Sequence, residues 1–221
     1  KDSDSEEISL HNVGQYIPDV RKKNQRAFIK QDKSLFNILE PKFVKTHDPY
    51  FLYYRNKKVI YIVRDGRDAI NSYYYYLNTR RKIPLTILDI INGQVQGDGD
   101  AYGWADHVLG WQQGICKHKL FLKYEDLLQD TETEVRKILN FVNWEVSDER
   151  IHRAITASSF DKLRKLEETH GWENPVAVDG VQKTPFFRKG KSGDWVDTFT
   201  DSDLRAFWLK HGQSMKMLGY K

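Results

Sequence analysis

Apolar and polar positions follow two different rhythms along this chain. Residues 1 to 40 are mostly polar with scattered apolar positions, and they predict loop and irregular helix. A regular pattern starts at Phe43-Val44, a short strand expected to follow Pro41 and to end at Lys45-Thr46-His47. Val59-Ile60-Tyr61-Ile62-Val63 is continuously apolar and rich in β-branched residues. Such a run suits a central parallel strand covered on both faces. Leu120-Phe121-Leu122 predicts a second short buried strand.

Helical spacing fills the intervals. Residues 69–78 read as a helix that includes the tyrosine run Tyr73 to Tyr76, a full turn divided between core and solvent. A weaker stretch covers 84–91 and is closed by a turn-forming segment with Gly93, Gly97 and Gly99. Trp104, Val108 and Trp111 recur four and three residues apart, which is helical, and both tryptophans read as packing residues. Thr131 and Glu134 form a capping-box pattern ahead of Val135, Ile138, Leu139 and Val142. Thr200 or Asp201 caps a last helix with Leu204, Phe207, Trp208, His211 and Met215 on one face.

Buried strands alternating with helices predict an α/β fold: a central parallel sheet flanked by helices, built as one domain over residues 1–221. Ligands of such sheets sit beyond the carboxyl ends of the strands. Those ends are Lys45-Thr46-His47, Arg64-Asp65-Gly66-Arg67-Asp68 and Lys123-Tyr124-Glu125-Asp126.

Composition narrows the classes. A chain of 221 residues with 13% aromatics can bury a proper core and is not a disordered segment. No apolar run approaches the roughly 18 residues that span a bilayer, so no membrane partner is expected. The N-terminal Lys1-Asp2-Ser3-Asp4-Ser5-Glu6-Glu7 is acidic and lacks the apolar stretch of a signal peptide. Cys116 is the single cysteine, which excludes an intramolecular disulfide and a cysteine-based zinc site and fits a cytoplasmic location. The 35 basic and 31 acidic residues leave a net charge of +4. The basic runs Arg21-Lys22-Lys23 and Arg80-Arg81-Lys82 have acids interspersed around them, and no nucleic-acid motif accompanies them, so a nucleic-acid partner is not expected.

Two segments carry chemistry. In Tyr61-Ile62-Val63-Arg64-Asp65-Gly66-Arg67-Asp68, Arg64 leaves a strand where a helix begins, a place where backbone N–H groups favour an anion. An arginine binds phosphate in bidentate fashion, and Ser72 adds a hydroxyl. The same spacing also allows Arg64 to pair with Asp68 in a structural turn. The second segment, Phe186-Phe187-Arg188-Lys189-Gly190-Lys191-Ser192-Gly193-Asp194-Trp195, is a basic loop able to wrap an anion with side chains and backbone N–H, although such a loop by itself more often reads as solvated surface. Its Gly-Lys-Ser is not a Walker A loop, because the glycine required five residues before Gly190 is replaced by Pro185.

Together these segments resemble the cytosolic-type sulfotransferases, which use 3′-phosphoadenosine 5′-phosphosulfate. Arg64 to Ser72 looks like that family's 3′-phosphate-binding segment, and Arg188-Lys189-Gly190 with Gly193-Asp194-Trp195 looks like its C-terminal signature. Lys45-Thr46-His47, Lys123-Tyr124-Glu125-Asp126, Ser158-Ser159-Phe160 and Gly103-Trp104 with Trp111 match further family segments, in the family's order, over roughly residues 41 to 200. The resemblance implies a fold similar to P-loop nucleotide kinases. It implies nucleotide contacts from Arg64, Ser72, Tyr124, Ser158, Phe160, Phe187, Arg188, Lys189 and Gly190, although Tyr124 reads equally well as a core residue.

By the same resemblance His47 is the general base and Lys45 steadies charge on the group in transfer. An imidazole, titrating at about pH 6.5, can take a proton from a hydroxyl or amine near neutrality. The expected reaction is in-line transfer of a sulfuryl group to a small-molecule acceptor, leaving adenosine 3′,5′-bisphosphate, with no metal. The acceptor pocket would come from variable segments around residues 10 to 40, 80 to 105 and 165 to 185, where Tyr102, Trp104 and Trp172 supply aromatic surface.

Two departures stand out. No Pro-Lys-Ser-Gly occurs in the sequence, so the family's 5′-phosphosulfate loop is expected in a segment upstream of Lys1; its evolutionary loss would instead leave a non-catalytic nucleotide-binding module. The family's dimer motif reads here Val196, Thr200, Asp201 and Arg205, with the threonine alone retained, which implies a monomer or a different dimer.

Overall fold

Val59 to Val63 extends by one residue into strand β1, Lys58–Val63, and the second run becomes strand β2, His118–Lys123. The two strands pair in parallel, with Ile60 opposite Leu120 and Val63 opposite Lys123. This computed structural model describes residues 17, 43–78, 85–93, 103–170 and 185–221. The loop and irregular helix expected before residue 40 lie outside that set apart from Ile17, as do Gly97, Gly99, Tyr102 and Trp172.

The helices that flank the sheet are α1 (Gly66–Asn78), α2 (Ile87–Ile91), α3 (Trp104–Gln113), α4 (Tyr124–Gln129), α5 (Thr131–Val142), α6 (Asp148–Ala157), α7 (Phe160–His170) and α8 (Asp201–Met217). Two 3-10 turns, Leu52–Asn56 and Asp194–Asp197, complete the described elements. The expected α/β architecture, a parallel sheet with helices around it, is what the chain adopts.

One core forms where α1, α2 and α8 meet: Ile70, Leu77, Ile87, Ile90, Ile91, Phe199, Phe207 and Met215 pack as one buried cluster. A second group surrounds β1, where the Trp111 ring lies 4.9 Å from Tyr54 and 6.0 Å from Tyr61. Such aromatic pairs add packing energy beyond their buried area. Lys119 on β2 donates to the carbonyls of Trp111, Gln112 and Gly114 at 3.0, 2.7 and 2.7 Å. Its ammonium thereby satisfies the C-terminal end of α3 and locks that helix against the sheet. Thr200 caps α8 through a reciprocal box with Asp203, as one of the two expected caps.

Three local expectations are corrected. Phe43-Val44 is not a strand: Lys45 is an isolated bridge residue, and the Asp48 N–H turns back to the Thr46 hydroxyl at 3.0 Å, ending the extended run. The cap of α5 is Asp130 instead of Thr131. Its carboxylate accepts the Thr133 N–H at 3.0 Å, while the Thr131 hydroxyl bonds to the Leu127 carbonyl at 2.7 Å. Coverage of β1 on both faces holds for Val63, 3% exposed, and fails for Ile62, 53% exposed, in a sheet of two strands among the described residues. Among the described residues no helix is long and apolar enough to cross a membrane.

Candidate nucleotide site

Asp68, in the first turn of α1 and 1% exposed, organises the region. Its carboxylate accepts the backbone N–H groups of Gly193 and Trp195 at 2.7 and 3.1 Å. A buried carboxylate needs such donors to offset its lost hydration. The structural-turn alternative for Arg64 is therefore not what forms, because Asp68 is directed at the basic loop. Arg64 instead lays its guanidinium over the Tyr124 ring, 4.6 Å from the centroid, and donates to the Lys191 carbonyl at 3.1 Å. Its Nε is buried without a hydrogen-bond partner.

Next on the same face of α1, Asn71 donates to Asp194 at 3.2 Å, and Tyr75 carries the Arg188 guanidinium 4.0 Å from its ring centroid. Ser72 is exposed between them, three residues before Tyr75 and therefore its neighbour on the helix surface. Arg188 and Lys189 both form ion pairs with Asp194. Burial raises the Asp194 carboxyl, but the bonds from Lys189 and Arg188 outweigh it and hold the group below its ordinary value.

Helix α7 fixes the other side of the loop. Glu167 accepts the Phe186 and Phe187 N–H groups at 2.6 and 3.0 Å, and Arg164 donates to the Arg188 carbonyl at 3.1 Å. Gly190 has φ +59°, and a Cβ there would stand 2.3 Å from the Phe160 ring. Glycine is required both for the left-handed backbone and for that approach. Phe160 also meets Phe187 edge-on at 6.4 Å. Arg64, Tyr124, Phe160, Phe187, Arg188, Lys189 and Gly190 are thus joined in one constellation, with Ser72 on its helical face. Ser158 is turned to its own helix, its hydroxyl donating to the Ala154 carbonyl at 2.8 Å.

The turn after β1 is braced from outside the expected set. Glu125 accepts the Asp65 N–H at 2.9 Å and the Tyr220 hydroxyl at 2.7 Å. Arg67 pairs with Asp65 at 2.6 Å and lies 4.3 Å over Trp195. Lys45 and His47 are exposed on the segment leading to β1, and that segment is held by α3. The Asp48 carbonyl accepts from Trp111 Nε1 and pairs with His107 Nε2, each at 3.0 Å. A carbonyl only accepts, so His107 carries its proton on Nε2 and its Nδ1 accepts from the Tyr61 hydroxyl at 2.9 Å. Burial pushes that tyrosine well above its ordinary value, so it stays a donor.

Sequence reading passed over His107, Tyr75, Asn71 and Glu167. His107 stands four residues before Trp111, a spacing that puts both on one helical face, but nothing local announced their shared carbonyl.

The chain matches the sulfotransferase domain over residues 1–219. Mouse sulfotransferase 1B1 is 33% identical over 176 residues, 76% of this chain and 58% of the relative. Human sulfotransferase 1E1 is 30% identical over 226 residues, 98% of this chain and 76% of the relative. The chain thus spans 58% and 76% of these relatives' lengths. Mouse sulfotransferase SULT7A1 complexed with PAP superposes with a TM-score of 0.65 at 23% identity, covering 93% of this chain and 78% of that one. Retinol dehydratase in complex with androsterone and inactive cofactor PAP gives 0.60 at 24% identity, covering 83% and 56%. These two show the same fold. The domain match along almost the whole length, with relatives at this level of identity, makes the chain a member of the sulfotransferase family.

Proposed function

We propose that this chain serves sulfuryl transfer from 3′-phosphoadenosine 5′-phosphosulfate to a hydroxyl or amine of a small-molecule acceptor. The observation that carries this reading is the bond from Arg64 to the Lys191 carbonyl, which joins two basic segments 127 residues apart in sequence. The buried, unpartnered Arg64 Nε and the Gly190 backbone in close approach to Phe160 suit an anionic nucleotide group.

Arg64, Arg188 and Lys189 bring charge-assisted donors to the 3′-phosphate, with Ser72 adding a hydroxyl and the Gly190 region a backbone approach. Tyr124, Phe160 and Phe187 offer ring surface beside them. When bound, the donor supplies the sulfuryl group, its bridging S–O bond breaking as the acceptor's new S–O or S–N bond forms and adenosine 3′,5′-bisphosphate leaves. His47 accepts the acceptor's proton, and Lys45 contributes positive charge where negative charge develops. An acceptor of small-molecule class is supported by the fold neighbour complexed with androsterone.

Calorimetry with adenosine 3′,5′-bisphosphate against AMP tests the phosphate assignment. The bisphosphate is expected to bind at least tenfold tighter, since one charge-assisted pair is worth about that much. Equal affinities would remove the assignment. A second reading is nucleotide binding without transfer, the case of a chain that has lost the phosphosulfate loop. Tight bisphosphate binding with no turnover of any acceptor would select it.

A further inference from the structure

We infer that Asp194 is the positioning residue that makes the basic loop selective for the 3′-phosphate: its buried carboxylate holds Arg188 and Lys189 as an oriented pair. The inference rests on the reading of that loop as a 3′-phosphate site.

Asp194 begins the 3-10 turn that follows the loop, and it is 2% exposed. One carboxylate oxygen accepts Arg188 Nη2 and Asn71 Nδ2, and the other accepts Lys189 Nζ. Three donors from two parts of the chain therefore converge on one anion. A carboxylate this buried is tolerable only with such partners, so the geometry is mutually enforced.

Neither cation is used up by this arrangement. A guanidinium has five N–H donors and an ammonium three. Arg188 gives one edge to Asp194 while its face rests on Tyr75 and its own carbonyl is held by Arg164. Lys189 gives one donor to Asp194, with the Asp197 carboxylate 3.5 Å away. The remaining donors are available for a second anion.

Without the carboxylate, two sequence-adjacent cations on long side chains would repel and spread over many rotamers. Ordering such side chains costs rotamer entropy. Asp194 covers that cost in the folded protein, before any nucleotide arrives, which is preorganisation. The benefit falls on a ligand that engages Arg188 and Lys189 together. A nucleotide without a 3′-phosphate gains nothing from it.

The full chain decides this in calorimetric titrations with adenosine 3′,5′-bisphosphate and with AMP. Asp194→Asn is expected to lower the affinity ratio between the two by about tenfold, through weaker bisphosphate binding at unchanged AMP binding. A purely structural loss would weaken both nucleotides together and leave the ratio intact, and that result overturns the inference. So does a ratio that rises in the variant, which would make Asp194 a competitor of the phosphate. If Asp194→Asn fails to fold by circular dichroism, Asn71→Ser decides instead. It removes the neutral anchor of the carboxylate and is expected to lower the same ratio by about threefold; an unchanged ratio overturns the inference. A wild-type chain that does not distinguish the nucleotides refutes the underlying site reading, a result separable from either variant outcome.

Discussion

The Arg188 guanidinium rests on the face of Tyr75, 4.0 Å from the ring centroid, so a helix tyrosine with no reactive role becomes the platform for a loop cation. A cation over an aromatic face is worth about 0.5 to 2 kcal/mol. Tyr75→Leu is expected to weaken binding of the bisphosphate by roughly 3- to 30-fold, whereas Tyr75→Phe, which keeps the ring, stays within about threefold of wild type. Calorimetric titration of the two variants checks this ordering.

Gly190→Ala tests the loop backbone. The new methyl would enter the Phe160 ring at 2.3 Å, from a residue held at φ +59°. Strain of this kind costs about 1–3 kcal/mol. Bisphosphate affinity should fall about tenfold or more, and Phe160→Ala in the same chain should restore part of it by removing the clash. Phe160→Ala alone calibrates the loss of the ring surface, and a double variant that binds worse than that single variant would show that the backbone angle carries a loss of its own.

His47→Ala should reduce turnover by about 10² or more in an active preparation with a competent acceptor, as loss of a general base does. Binding of the bisphosphate should survive, because the proposed phosphate-binding cluster is built on α1 and the basic loop, away from His47 in sequence. Steady-state rates and calorimetry on one preparation separate the two effects.

His107→Ala removes a bond to the Asp48 carbonyl next to His47 and leaves the Tyr61 hydroxyl without its acceptor. The expected consequence is a fall in kcat of roughly tenfold, with bisphosphate affinity within about twofold of wild type. His107→Gln, whose amide N–H can still reach a carbonyl, should recover part of the rate. Equal losses in His107→Ala and His107→Gln would argue against a positioning role.

His211 gives a pH signature to stability. It is 1% exposed, and burial, followed by the charge of Lys210, lowers it from 6.5 to about 4. Well above pH 6.5 the folded and unfolded imidazoles are both neutral, and the residue adds no pH dependence there. As pH falls from 6.5 towards 4, the unfolded chain takes up a proton that the folded one refuses, so stability drops. The slope reaches up to about 1.4 kcal/mol per pH unit. Denaturant titrations at pH 7 and pH 5 should show a larger loss in wild type than in His211→Leu.

Much of the site was legible before folding was considered, because its parts are short local strings. Arg64 at a strand end and the loop Arg188-Lys189-Gly190 are candidate anion-binding groups by residue type, but spacing alone leaves the Arg64–Asp68 turn equally open until the family resemblance is added, whereas α8 declares its buried face through helical period. Local pattern was less decisive at element ends. Asp130 and Thr131 are both good caps in adjacent positions, and the choice fell to Asp130 once the Thr131 hydroxyl found the Leu127 carbonyl.

Partner choice over long separations is a different kind of information. Asp68 could have answered Arg64 within one turn, yet it caps Gly193 and Trp195 some 125 residues on. His107 reaches a carbonyl 59 residues earlier, and Arg188 finds Tyr75 across the fold. Periodicity reports which face of an element is buried, since that depends on residues a turn apart. It carries no record of what lies against that face, because a hydrogen bond or a ring contact needs an angle and a distance between segments that only packing sets.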